Sequence, residues 1–111
     1  MIIDIRSSGE MILASLEGEL DHHTSQAFKA KVQTILDTEE TKNLVIDMSR
    51  LYFMDSSGIG VILGRLNQLK KKGGKVVVFG MKSQVKKVFY AGGLDKVISY
   101  YEKEEEAVNN L

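Results

Sequence analysis

The sequence of 111 residues has no cysteine, no proline and no tryptophan, and only two histidines. Without cysteine there are no disulfides, no thiol nucleophile and no thiolate metal site, a composition compatible with a reducing compartment. Without proline there is no cis-prolyl turn and no polyproline linker. The histidines are neighbours, His22 and His23, and adjacent residues rarely hold one ion from a regular element, so no metal is expected. An excess of one charge is also missing: 15 Lys and Arg balance 15 Asp and Glu. That argues against direct contact with nucleic acid, which calls for a basic stripe. No apolar run is long enough to span a bilayer, so no membrane association is expected. Met1-Ile2-Ile3-Asp4 lacks the basic start of a secretion signal, and the expected location is the cytoplasm.

Catalytic signatures are equally scarce. There is no Gly-x-Ser-x-Gly elbow and no lysine-bearing phosphate loop. A triad can be written from Ser56, His22 or His23, and Asp21 or Asp47, but nothing in the spacing brings these together. The expectation is a non-enzyme with no catalytic residue, no metal and no cofactor.

What is present reads as one domain over residues 1–111. Hydrophobic residues make up 43% and charged residues 27%, ordinary for a globular chain large enough to bury its own core. Residues 2–6 and 11–17 alternate as two strands around Ser7-Ser8-Gly9-Glu10, a hairpin turn, with Ile12, Ala14 and Leu16 on one face. Gly18-Glu19-Leu20-Asp21 interrupts the pattern. From Thr24 a helical period places Phe28, Val32, Ile35 and Leu36 on one stripe, capped by Asp21 or Thr24 and fraying near residues 37–40. A strand is expected at 43–48 and another at Val76-Val77-Val78-Phe79. Ser83 can cap a short helix with Val85, Val88 and Phe89 inward, ending at Gly92-Gly93. Residues 97–100 read as a last strand and 102–111 as a terminal helix. The class is α/β: a mixed sheet of four to five strands, about four helices and an N-terminal hairpin.

The chain is organised around Leu51 to Leu69. Apolar residues at 59, 62, 63, 66 and 69 mark a helix, and Asp55-Ser56-Ser57 supplies its N-cap, with a serine as the expected cap. Free amides and the dipole at such an end favour a phosphate. Gly58, Gly60 and Gly64 each cost a helix about 1 kcal/mol relative to alanine. Gly60 and Gly64 lie one turn apart and share a face, fit either for tight packing on a sheet or for docking a partner. Lys70-Lys71-Lys72-Gly73-Gly74 reads as a capped, solvated helix end. By themselves the residues lead to a small α/β binding domain with an addressable serine.

Three strings carry more. Gly18-Glu19-Leu20-Asp21, Phe53-Met54-Asp55-Ser56-Ser57-Gly58-Ile59-Gly60 and Ala91-Gly92-Gly93-Leu94 together resemble the anti-sigma factor antagonists, whose fold is the STAS domain. The last string departs slightly from the family's usual Ser-Gly-Leu. Glu19-Leu20-Asp21-His22-His23-Thr24 is most similar to the family members that act in sporulation. The resemblance implies partner switching. The unphosphorylated protein binds an anti-sigma factor that is also a serine kinase, and so frees a sigma factor. Phosphorylation from ATP releases it, and a serine phosphatase restores it. Carried onto this chain, the phosphorylated residue is Ser56, directly after Asp55, with Ser57 as runner-up because the tandem serine permits a shift of one. The implied partner-binding residues are Asp21, Asp55, Ser57, Gly58, Gly60 and Gly64. The alternatives are an antagonist in a general-stress or other signalling pathway, or a nucleotide-binding module holding phosphates at the Ser56 helix end.

Overall fold

Apolar alternation over the first twenty positions folds as a hairpin, β1 (Ile2–Ser8) antiparallel to β2 (Met11–Leu20). The computed structural model describes residues 1–38, 40 and 43–111. Ile12, Ala14 and Leu16 are buried as expected, with Leu13 and Ser15 half-buried on the other face. β2 does not stop at 17: Gly18, at φ 116°, keeps the strand going through a shift in register. The extra residue of each shift lies on β3, and Gly18 opposite takes a positive φ that glycine tolerates.

Among the described residues five strands form one sheet in the order β1-β2-β3-β4-β5. β3 (Asn43–Met54) runs parallel to β2 and to β4 (Lys75–Phe79), and β5 (Ser99–Tyr101) runs parallel to β4. The main core lies on one face, where Phe28, Val32 and Leu36 of α1 (Thr24–Thr38) meet Ile62, Leu66 and Leu69 of α2 (Ser56–Lys70). Val85 and Phe89 of α3 (Ser83–Ala91) join them. On the opposite face Ala107 of α4 (Glu104–Asn109) covers Val45, Val77 and Phe79. The mixed α/β class, the hairpin and four helices are as expected.

Several boundaries differ. β3 was expected to end at 48 and instead reaches Met54. Its buried residues Met48, Leu51 and Met54 fall three apart, because the bulges opposite β2 break the two-residue period. The last strand begins at Ser99 rather than 97, and the last helix at Glu104 rather than 102. Lys82, not Ser83, occupies the cap position of α3. Of the expected fraying segment at 37–40, Glu39 lies outside the described residues.

α2 buries Ile62, Leu66 and Leu69, with Ile59 partly buried against the core. Leu63, expected inward, lies on the flank and is 38% exposed. Close packing of Gly60 and Gly64 on the sheet is also not found: a methyl at either would meet nothing within 4 Å. The glycine that packs tightly is Gly58, where a Cβ would stand 2.6 Å from Met54 Cγ and 3.0 Å from Leu20 Cδ2. The two substitutions should therefore diverge. Gly58→Ala is overpacked at a cost of about 1–3 kcal/mol, against at most about 1 kcal/mol of helix propensity. Gly60→Ala gains that propensity with no clash, about 1 kcal/mol. Urea denaturation should show a lower midpoint for Gly58→Ala and a higher one for Gly60→Ala.

Candidate functional site

β2 and β3 end side by side, Leu20 opposite Met54, and the Asp55 amide donates to the Leu20 carbonyl at 3.3 Å. β3 has by then outrun β4, whose last partner is Asp47. The Gln84 side chain takes the missing neighbour's place: the Met54 N–H donates to Gln84 Oε1 at 3.0 Å, and Gln84 Nε2 donates to the Met54 carbonyl at 3.2 Å. Two aspartates thus leave adjacent strand ends, and each opens a helix.

Asp55, in extended conformation, caps α2: its Oδ1 accepts from the Ser57 amide at 2.8 Å. This corrects the expectation of a serine cap. A carboxylate two residues ahead of a free N–H reaches it with the backbone extended, so Ser56 is left as the first helical residue. The Ser56 side chain is exposed and makes no side-chain hydrogen bond among the described residues. Ser57 is half-buried, and Gly58 is buried beneath it.

Asp21 opens α1. Its Oδ1 accepts from the His23 and Thr24 amides, both at 2.9 Å, while its own amide donates to Thr24 Oγ1 at 2.9 Å. The Thr24 amide is the main cause of a carboxyl held below the ordinary aspartate range. A depressed folded-state value means that this contribution to stability is present above the unfolded carboxylate's pKa and is lost as pH falls through the folded one. The carboxylate is engaged with backbone rather than with a histidine ring, and Asp47 lies across the sheet, bound by the Ser49 amide at 2.9 Å and Ser49 Oγ at 2.6 Å. The triad writable from the sequence is not assembled. Among the described residues no group of three His, Asp or Glu is placed to hold a metal, and no helix is long and apolar enough to cross a membrane.

Between α1 and α2 runs a groove of about 330 Å³, lined by His22, Ser25 and Lys29 on one side and Ser57, Gly60, Gly64 and Arg65 on the other. The bare faces of Gly60 and Gly64 make its width. Arg65, 8% exposed, escaped the sequence reading. Its signal was available, since position 65 falls on the stripe of 58, 62 and 69 that faces inward. Exposed Tyr52 and Phe53 stand just before the site on β3, with the Lys82 ammonium 5.4 Å from the Tyr52 ring centre.

Comparison with known proteins identifies the family. The family model described as STAS domain matches residues 3–107. An anti-sigma F factor antagonist of Paenibacillus polymyxa is 33% identical over 109 residues, covering 98% of this chain and 93% of the relative. The chain belongs to the STAS domain family of anti-sigma factor antagonists. Among solved structures, the anti-sigma factor antagonist SpoIIAA in its unphosphorylated form is 31% identical with a TM-score of 0.87, covering 98% of this chain and 95% of that one. The phosphorylated form of the Bacillus cell fate determinant SpoIIAA gives 31% identity and a TM-score of 0.76, with 98% of each chain covered.

The capping geometry separates two neighbouring substitutions. Asp55→Ala removes the cap and should cost about 0.5–2 kcal/mol. Ser56→Ala touches an exposed, unbonded hydroxyl and should stay within about 0.5 kcal/mol of the parent. Chemical unfolding of both variants checks the order; equal losses would return the cap to the serine.

Proposed function

We propose that this chain is a cytoplasmic anti-sigma factor antagonist of the sporulation type, switched by phosphorylation of Ser56. Unphosphorylated, it binds an anti-sigma factor with serine kinase activity and frees a sigma factor. The kinase phosphorylates Ser56 and is released, and a serine phosphatase resets the chain. The chain itself performs no chemistry and touches neither nucleic acid nor membrane. The observation that carries this reading is the exposed, unbonded Ser56 hydroxyl on the first turn of a helix already capped by Asp55. A kinase can reach it without disturbing the cap, whereas Ser57 is half-buried beside the groove.

The physics of the modified state supports a switch at the surface. A phosphoserine adds about −1.5 to −2 charge, which a helix N-terminus accepts with a gain of about 0.3–1 kcal/mol. The fold is therefore left intact, and the charge acts on the partner. Asp21, Asp55, Ser57, Gly60 and Gly64 surround the serine turn and form the docking face. Gly58 serves it from beneath, by its packing on Met54 and Leu20. The sporulation assignment rests on the resemblance of Glu19-Leu20-Asp21-His22-His23-Thr24 to the family members that act in sporulation.

The test is incubation with an anti-sigma factor kinase and ATP, followed by mapping of phosphate by mass spectrometry. A single phosphoserine at Ser56 is expected. Ser56→Ala should bind the kinase and never be released, and Ser56→Asp should bind about a hundredfold more weakly, equivalent to about 2.7 kcal/mol. Phosphate on the alanine variant would move the assignment to Ser57, and no phosphate on either serine would sink it.

A further inference from the structure

The chain has three arginines, and two of them are answered. Arg6 lies 3.3 Å from Asp4 and Arg50 lies 3.5 Å from Glu17, both on the surface. The third, Arg65, is the buried one. Among the described residues its Nε and Nη1 find no hydrogen-bond partner, and neither does the Oγ of Ser25, a residue 6% exposed that also lines the groove. Each ordinarily demands a partner, because an unpaired polar group out of water costs far more than one in it. Both residues, from two helices, line one cavity.

The surroundings specify what would satisfy them. Lys29 stands at the mouth and His22 near it, and no carboxylate lines the cavity. Burial disfavours the charge on Arg65, yet a guanidinium does not give up its proton in a protein. The positive charge therefore persists, with its compensation to come from a ligand. Guanidinium donors match the oxygens of phosphate and carboxylate better than any other common group. Side chains at 60 or 64 would project into the free space beside it, and both positions are glycine with nothing within 4 Å of a methyl. At about 330 Å³ the groove holds one oxyanion and part of the molecule that bears it.

We propose that the groove between α1 and α2 is a binding site for a single oxyanion, a phosphate or carboxylate group, with Arg65 and Ser25 as buried donors and Lys29 as the charge at its mouth. The site runs along the helices from Ser57, in the first turn of α2, to Arg65. It rests on the groove alone and not on the partner-switching reading, so neither stands or falls with the other.

The test titrates the full chain with inorganic phosphate and, separately, with acetate at constant ionic strength, following the Arg65 Nε–H signal by NMR and the midpoint of thermal unfolding. Phosphate should give a saturable shift with a dissociation constant of about 1 mM or tighter, and should raise the unfolding midpoint. Arg65→Met, which keeps the length of the stem, should abolish saturation, followed by the backbone amides of Ser25 and Ser57. Lys29→Ala, an exposed change that leaves the fold intact, should weaken binding at least threefold and decides the matter should Arg65→Met not fold. Tighter phosphate than acetate assigns the site to phosphate-bearing ligands, and the reverse assigns it to carboxylates. No saturable response to either anion, or one unaltered in both variants, overturns the proposal.

Discussion

Everything at the functional end of the molecule depends on the pairing of Leu20 with Met54, the last rung of the sheet between β2 and β3. β4 has already ended on one side and β1, whose last partner is Glu17, on the other, so this rung has no flanking strand. It is held instead by the Gln84 amide on Met54 and by the close approach of Gly58 to the side chains of both residues. Buried Leu20 and Met54 exclude water from these hydrogen bonds, which raises the cost of breaking them. The two aspartates that follow then have no freedom of placement, and two helices begin side by side.

The consequence is a rigid stage for the switch proposed above. A serine at the first position of a well-capped helix has a fixed backbone and a free side chain. Under the proposed switch, a charged group added there would change the electrostatic surface and leave the fold intact. The neighbouring groove adds a second feature of the same surface, a persistent positive charge set between two helices. The opposite face of the sheet is handled differently, with its arginines paired to nearby carboxylates.

The hairpin, the α1 stripe and the end of α2 were legible because each follows a local rule: two-residue alternation, a 3.6-residue period, and lysines with glycines after a helix. The site strings were legible through Asp55-Ser56-Ser57-Gly58 and Glu19-Leu20-Asp21. What was hidden depends on tertiary context. β3 seemed to end at Asp47-Met48-Ser49-Arg50, because polar residues there look like a turn when the partner strand that makes them a bulge is unseen. The choice of Asp55 over Ser56 as cap could not be read, since both residue types cap helices and only the extended backbone of Asp55 decides. Arg65 was passed over because an arginine in an amphipathic helix is by default solvent-facing. Only the placement of α1 puts it under cover.

The edges of the sheet set terms for any visitor. One edge is β1, where Asp4 and Arg6 sit as an ion pair, and the other is the three-residue β5. Short or charged edges discourage the addition of a foreign strand. Recognition by strand addition, a common route for small sheet domains, is thereby closed off on both sides. The docking face proposed above lies on the helical side, and neither edge invites two copies of the chain to zip their sheets together.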